Sequence, residues 1–194
     1  LEEATLLANQ IAAKGPIAIR YVKQAVDSTD RLDIDAGLAM EASLFGLCFA
    51  SEDQKKRFLP KLASGEEVWC QLFSEPASGS DLAGLRTRAV KEGDNWILNG
   101  QKIWTSRAEH SDLMVLLART TPKDEVKKKS DGLSVFLIDM RDALKNGMTI
   151  NPIRTMLNHA TTEVFFDHVP IPADSLIGEE GKGWTYAKGL LEHE

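Results

Sequence analysis

Residues 86–105 read RTRAVKEGDNWILNGQKIWT, and this stretch decides the fold class that the sequence predicts. Arg86–Val90 and Trp96–Asn99 are short runs that predict strands, and Glu92-Gly93-Asp94 between them is typical of a hairpin turn. Gln101–Thr105 predicts a further strand directly afterwards. Strands joined by tight turns run antiparallel, so this stretch favours an antiparallel sheet.

Further strands are predicted on both sides of this hairpin, at Val68–Phe73, Leu113–Arg119, Leu133–Ile138, Met148–Ile153 and Thr162–Phe166. Because no helix is predicted between them, the pattern favours an antiparallel sandwich or barrel over a parallel, doubly wound sheet. A short helix over Lys55–Leu62 precedes the strands and ends at Ser64-Gly65. After the last strand, the loop Gly178–Gly183 leads into a helix that begins at Trp184.

The first 53 residues have helical rather than strand periodicity. Gly15-Pro16 separates two apolar runs, and a third helix is predicted to begin at Asp33. We therefore expect an α+β protein, in which N-terminal helices pack outside the core of an antiparallel β-barrel.

The composition is that of a globular protein and excludes several functions. The chain has 194 residues and a net charge of -6, so no surplus of cations is available for a nucleic-acid partner. The lysine run 127–129 lies among acidic residues and predicts a solvated loop. No apolar run approaches the ~20 residues that span a bilayer. We expect a soluble protein, cytoplasmic or in the mitochondrial matrix if the source is eukaryotic.

Cysteine and histidine spacing gives no sign of a metal centre. Cys48 and Cys70 both lie in apolar stretches and are interpreted as buried free thiols. The four histidines form no pair at ligand spacing, so we predict no metal. A G-x-G-x-x-G motif is also missing from the sequence, so a nicotinamide cofactor has no support.

Three ordered motifs carry a resemblance to a known family. CQLFSEPASGSDLAG at residues 70–84 resembles the signature of the acyl-CoA dehydrogenase family. LNGQKIWTS at residues 98–106 and EVFFDHVPIP at residues 163–172 follow at the family's spacing. The resemblance covers about residues 54–194, beginning with QKKRFLP, and implies the FAD-binding middle β-domain of a flavoprotein oxidoreductase of fatty acid metabolism.

The resemblance implies a flavin site built from these motifs. Gly79 and Ser80 lie in a turn whose backbone N–H groups and hydroxyls can face the flavin pyrophosphate. Phe73 and Ser74 correspond to positions that pack on the flavin ring and hydrogen-bond to it. Trp104 offers an aromatic plane, and Thr105 and Ser106 can reach the polar edge of the ring. Taken singly, these residues are as typical of a polar turn and a core tryptophan; taken together, they favour the flavin site.

Two departures from the family pattern concern the same site. Ala77 stands where the family usually has glycine, and Arg107–His110 replaces a stretch that usually contains glycine. If Arg107 adopts a left-handed backbone conformation, we expect it to be strained.

The N-terminal segment resembles a different family. Gly15-Pro16, Val22–Ala25, Gly37–Glu41 and Phe49–Asp53 are similar to the C-terminal helical part of the enoyl-CoA hydratase (crotonase) family. Residues 51–55 fit both families and predict the junction. Crotonases activate water with paired glutamates on an upstream domain, so none of that chemistry carries over. A truncated fusion, a mis-assembled gene and an artificial joint all stay open.

The predicted organisation is a crotonase-like segment (1–53), a flavin-binding β-domain (54–177) and the start of a C-terminal helical domain (178–194). In the acyl-CoA dehydrogenase family, a glutamate removes the α-proton of the thioester while the β-hydride passes to flavin N5. The resemblance implies an acyl-CoA substrate, an electron-transfer flavoprotein or similar acceptor, and a homo-oligomer for the full-length enzyme. The family supplies its base from the C-terminal helical domain, so we assign no catalytic residue here and expect this chain alone to be inactive.

Other functions stay open from the sequence. One alternative is a catalytically dead remnant or an interaction module, in which the N-terminal helices dock on the β-domain or on another subunit. A hydratase-type fragment is the third and poorest interpretation. Flavin absorbance of the purified chain separates the first two functions.

Overall fold

The computed structural model describes Thr5, residues 51–156 and residues 160–191. The helices expected in residues 1–50 and the buried thiol expected at Cys48 lie outside this part of the chain. The described helices are α1 (Glu52–Ser64), α2 (Met140–Lys145) and α3 (Gly183–Leu191), and the strands are β1 (Trp69–Leu72), β2 (Arg88–Glu92), β3 (Asn95–Ser106), β4 (Leu113–Arg119), β5 (Leu133–Asp139), β6 (Met148–Pro152), β7 (Thr161–Pro172) and β8 (Leu176–Ile177).

The strands form one mixed sheet in the order β6-β7-β3-β2-β4-β5-β8, with β1 paired to β4. Most neighbours are antiparallel, but β1 runs parallel to β4 over four residue pairs, and β2 meets β4 in a single parallel pair. Among the described strands, β6 and β8 end the sheet without pairing to each other. The α+β class is confirmed. The expected antiparallel barrel is corrected to a mixed, open sheet, because β1 reaches β4 through a long connection rather than a hairpin.

The central strand β4 is buried along its whole length, which explains its continuous apolar sequence. Successive side chains of a strand point to opposite faces, so β4 contributes to two separate cores. Leu113, Val115 and Leu117 pack with α1, β5 and α3, whereas Met114 and Leu116 pack with β3, β6 and β7. The second core joins strands from both ends of the sheet, so the sheet curls over it.

Several predicted boundaries are confirmed, and two elements differ. β4 has the predicted bounds, and Gly93 (φ 59°) opens the two-residue turn between β2 and β3. The two strands predicted over 96–105 are one long strand, β3, which continues through Gly100. Helix α2 was not predicted; it begins where Asp139 Oδ1 accepts hydrogen bonds from the backbone N–H groups of Arg141 (2.9 Å) and Asp142 (3.2 Å).

Helix α1 lies at the start of the β-domain and is hydrogen-bonded to its end. It begins with a capping box between Ser51 and Gln54 and ends at Gly65 (φ 74°), as the Ser64-Gly65 signal predicted. The side-chain amide of Gln54 donates to the carbonyls of Asp174 (2.8 Å) and Leu176 (3.1 Å). None of the described helices is long and apolar enough to cross a membrane.

The thiol of Cys70, on β1, is buried and free. Burial raises the pKa of this thiol to about 12, so it stays protonated and unreactive at neutral pH.

Gly100 is expected to be the most demanding position in the second motif. It has a φ of 152°, and a Cβ atom there would lie 2.5 Å from Thr87 Oγ1 and 2.6 Å from Thr87 Cα. We expect Gly100→Ala to lower the free energy of unfolding by about 2 to 4 kcal/mol, measured by urea denaturation. The control is Gly65→Ala, where φ is 74° but no atom lies within 4 Å of the added methyl, so only backbone strain is added. Equal losses in the two variants would contradict the packing argument.

Candidate functional site

The chain turns sharply after β1 and then exposes a short polar segment. Glu75 and Ser78 exchange two backbone hydrogen bonds of 3.1 and 3.0 Å, which close a tight turn around Pro76 and Ala77. Gly79 and Ser80 follow this turn and are exposed to solvent. A Cβ atom at Gly79 would meet nothing within 4 Å, so the space above this segment is open.

Arg119 fixes the backbone behind the exposed segment. Arg119 is 5% exposed as a residue, and its guanidinium donates to the carbonyls of Ala83 (2.9 Å) and Leu85 (3.4 Å) on one side. On the other side it donates to the carbonyls of Lys129 (2.8 Å) and Asp131 (3.1 Å), in the loop between β4 and β5. One buried cation therefore holds two loops together, and burial lowers the pKa of this guanidinium.

A second buried cation, Lys102, pairs with Glu75. The Lys102 side chain is 0% exposed, and its Nζ donates to Glu75 Oε1 (2.9 Å) and to the carbonyl of Phe73 (3.0 Å). The carboxylate of Glu75 also accepts from the backbone N–H groups of Arg86 (2.6 Å) and Thr87 (2.9 Å). The pair thus ties the end of β1, the approach to β2 and the middle of β3 to one point.

Both members of the pair have displaced pKa values. Burial lowers the pKa of the Lys102 ammonium to about 8, against the attraction of Glu75. Burial would raise the pKa of the Glu75 carboxyl, but the charge of Lys102 and the hydrogen bonds from Thr87 and Arg86 lower it below its usual range. The pair is therefore ionised at neutral pH, with three hydrogen bonds on the carboxylate.

A β-bulge in β3 turns Trp104 out of the sheet. Lys102 pairs with Val164 and Thr105 pairs with Thr162, so three steps along β3 match two along β7. Trp104 has a φ of 62° and is 61% exposed, although regular alternation would place it on the buried face of Lys102. The bulge therefore converts an inward position into a solvent-facing aromatic plane.

Thr105, the next residue, is buried. It is 2% exposed, and its carbonyl accepts a hydrogen bond of 2.9 Å from Thr162 Oγ1. Its own hydroxyl oxygen has no hydrogen-bond partner among the described residues. Buried hydroxyls are nearly always paired in folded proteins, so this one is an exception among the described residues.

The end of β1 and the bulge of β3 meet directly. The backbone N–H of Ile103 donates to the carbonyl of Ser74 with a distance of 2.9 Å. Ser74 is half-buried beside this bond, whereas Trp104 and Ser106 are exposed. Residues far apart in sequence therefore form one surface that combines an aromatic plane with hydroxyl groups.

Comparison with known proteins assigns the chain to a family. The model of the acyl-CoA dehydrogenase middle domain matches residues 70–169, which is more than half of the chain. The chain belongs to the acyl-CoA dehydrogenase family.

Individual relatives agree with this assignment. The chain is 36% identical over 148 residues to the acyl-CoA dehydrogenase FadE26 of Mycobacterium tuberculosis, covering 76% of this chain and 36% of that protein. It is 44% identical over 143 residues to FadE34 of the same organism, covering 73% of this chain and 19% of that protein. The chain thus spans roughly a third or less of the length of these relatives.

A solved structure gives the same result. The ChsE4-ChsE5 complex from Mycobacterium tuberculosis has a chain that superposes with a TM-score of 0.74 and 30% identity, covering 96% of this chain and 47% of that one. The resemblance of residues 1–53 to the crotonase family is not shown by these comparisons and stays a prediction.

The structure brings together two of the segments expected at the acyl-CoA dehydrogenase flavin site, Ser74 and the end of β3. Trp104 and Ser106 are exposed and form a surface beside the half-buried Ser74, and Gly79 and Ser80 are exposed on the loop after β1. The Phe73 side chain is 7% exposed and packs in the core with Leu62 and Trp69, so it is not presented on that surface. Thr105 is also buried, so its side chain is not presented on that surface either.

The sequence interpretation missed Glu75 and Lys102, although both lie inside the motifs. A signal was present in the strand periodicity. Leu98 and Lys102 are four residues apart in β3 and therefore on the same face, and Leu98 is fully buried. A lysine at an inward position needs a buried acidic partner, which Glu75 supplies.

The two departures from the family pattern have different outcomes. Arg107 does adopt a left-handed conformation, with a φ of 60°, as the strain argument required. The described non-glycine residues with positive φ are Trp104, Arg107 and His168, so Ala77 occupies its turn without left-handed strain. Two of these three residues flank Thr105 and Ser106, and backbone strain of this kind is typical of functional sites.

The stability of the domain should depend on pH through Glu75. Its pKa is lower in the folded chain than the ordinary 4.5, so its stabilising contribution is complete above about pH 4.5 and is lost as the pH falls through the folded value. At pH 7, we expect Glu75→Gln to lower the free energy of unfolding by about 3 kcal/mol, because it leaves Lys102 buried without a carboxylate.

Urea denaturation between pH 3 and 7 measures this dependence. The stability gap between the unsubstituted chain and Glu75→Gln should narrow as the pH falls. Asp81→Asn is the matched control, because it removes the exposed 3.1 Å ion pair with Lys129 and should cost much less. A gap that is constant over this range would contradict the ionised pair.

Proposed function

We propose that residues 54–177 form the flavin-binding β-domain of an acyl-CoA dehydrogenase that desaturates acyl-CoA thioesters at the α,β-position with FAD. The observation that carries this proposal is the 2.9 Å hydrogen bond from Ile103 N to the Ser74 carbonyl. It joins the two motif segments that the family uses around its flavin into one surface. The geometry of that surface supports the assignment independently of the resemblance.

The ring side of the site fits an isoalloxazine. Trp104 offers a solvent-facing plane on a rigid bulge, and flat aromatic groups stack well on such a plane. Ser74 and Ser106 supply hydroxyls at its border, where they can pair with the polar edge of the ring.

The exposed loop fits the pyrophosphate. Gly79 and Ser80 are exposed and the space beside Gly79 is open, so their backbone N–H groups and the Ser80 hydroxyl are proposed to bind an anion. Arg119 keeps the following backbone fixed from below, so the loop does not have to order when a ligand arrives. FMN carries one phosphate and FAD carries two, so a segment with several anion-binding donors favours FAD over FMN.

When bound, FAD supplies the acceptor for the hydride that leaves the acyl chain. The described residues bind and orient the cofactor, and none is assigned as the base that removes the α-proton. For the full-length protein we propose the partners that the family implies: an acyl-CoA substrate, an electron-transfer flavoprotein or similar acceptor, and further subunits. The related structure is a complex of ChsE4 with ChsE5, which supports assembly into oligomers.

Titration of FAD and FMN into the chain tests this function. Flavin fluorescence should report saturable binding of FAD and clearly weaker binding of FMN, because FMN lacks the second phosphate and the adenosine. Equal affinities would remove the pyrophosphate role of the Gly79-Ser80 segment. No binding of either flavin would leave the interaction module as the better function.

Two substitutions test separately the contributions of the loop and of the aromatic plane to flavin affinity. Ser80→Ala should weaken FAD by roughly fivefold, the effect of losing one hydrogen bond of about 1 kcal/mol, and should weaken FMN by no more than this, because FMN carries only one of the two phosphates. Trp104→Leu should weaken both flavins by about threefold to tenfold through loss of stacking. The matched controls are Ser64→Ala, at the exposed end of α1, and Leu144→Ala, an exposed apolar side chain of α2. Unchanged FAD affinity in Ser80→Ala would take Ser80 out of the site.

A further inference from the structure

The Glu75–Lys102 pair lies directly behind the surface that carries Ser74 and Trp104. Lys102 donates to the carbonyl of Phe73, the residue before Ser74, at 3.0 Å. Ile103, the residue after Lys102, donates to the carbonyl of Ser74 at 2.9 Å. The two segments are therefore joined at two consecutive positions, once by a charged side chain and once by the backbone.

The pair also stands where the register of β3 changes. Lys102 and Val164 are the last regular pair before the bulge, and the pairing resumes at Thr105. A strand that slips by one residue turns every side chain to the opposite face. Such a slip would bring Lys102 out of the interior and leave Glu75 buried without its counterion, so the buried pair opposes the slip and keeps Trp104 exposed.

Stability alone is a poor reason for such a pair. Buried ion pairs cost much desolvation energy, and apolar residues of similar volume often stabilise a protein equally well or better. Their attested use is to select one register among several. Here the register determines which way an aromatic side chain of the proposed flavin surface points.

We propose that Glu75 and Lys102 are positioning residues for the flavin: together they fix the β3 bulge and so hold Trp104 and Ser74 in the arrangement that receives the ring. This inference rests on the proposed function. The pair contacts backbone groups next to Ser74 and before β2, and it affects flavin affinity by fixing the positions of Ser74 and Trp104.

The decisive comparison separates positioning from stability. Glu75→Gln removes the charge of one partner, and the double variant Glu75→Gln/Lys102→Met removes the ion pair without leaving a buried charge, so it is expected to fold. The control is Phe136→Ala: Phe136 is fully buried and contacts Trp96 near the start of β3, whereas Trp104 lies near its end. This control should lose about as much stability as Glu75→Gln, which urea denaturation verifies.

Two measurements are made on each folded variant. The first is the FAD dissociation constant, from flavin fluorescence, at a temperature at which circular dichroism shows every variant to be folded. The second needs no flavin: it is the hydrogen-exchange rate of the Ile103 amide, whose bond to Ser74 reports the joint between the segments. We expect both charge variants to bind FAD roughly tenfold or more weakly, because displacement of Trp104 and Ser74 loses ring stacking and a hydrogen bond together.

The outcomes are distinct. Weaker FAD binding and faster Ile103 exchange in the double variant, with FAD affinity within about twofold in Phe136→Ala, support the positioning role. Unchanged FAD affinity in a folded double variant overturns this role and leaves the proposed function intact. An equal loss of FAD affinity in Phe136→Ala also overturns it, because stability alone would then explain the loss. If the unsubstituted chain binds no FAD, the proposed function falls, and the positioning role falls with it.

Discussion

The buried contact between Glu75 and Lys102 is the interaction on which the rest of the candidate site depends. The Glu75 carboxylate accepts three hydrogen bonds, and the Lys102 ammonium donates two, one of them to Glu75. Inside the sheet, neither group could remain charged without the other. The bonds reach the end of β1, the approach to β2 and the middle of β3. Because these segments are far apart along the chain, the pair converts a set of local turns into one surface of fixed shape.

The surface itself combines features that a stable fold would otherwise avoid. Trp104 is a large apolar side chain in water, Trp104 and Arg107 have left-handed backbones, and Thr105 has a buried hydroxyl without a partner among the described residues. Each feature is unfavourable, and all fall within four consecutive residues. The surrounding sheet, with two cores on the two faces of β4, supplies the stability that tolerates them. Such a concentration of unfavourable features in one segment is typical of functional sites.

The sequence predicts those features of the fold that depend only on residues close together along the chain. The bounds of β4 follow from an apolar run that is buried on both faces, and the β2–β3 turn follows from Glu92-Gly93-Asp94. The parallel pairing of β1 with β4 depends on strands separated by more than three dozen residues, so no local pattern reveals it. The exposed members of the site, Gly79, Ser80, Trp104 and Ser106, were named from motifs, and their roles toward a flavin stay predictions. The contact between Glu75 and Lys102 was missed because it joins residues 27 positions apart.

The hydrogen bonds from Gln54 to the carbonyls of Asp174 and Leu176 place the entry and exit of the β-domain side by side. A domain whose two ends are neighbours behaves as an insert: it can be added between other parts of a chain without separating them. Parts of a chain that precede and follow such an insert are brought to the same side of it. Exchange of those flanking parts during evolution would then leave the sheet and the surface around Trp104 undisturbed, so such a domain can pass from one chain to another as a unit.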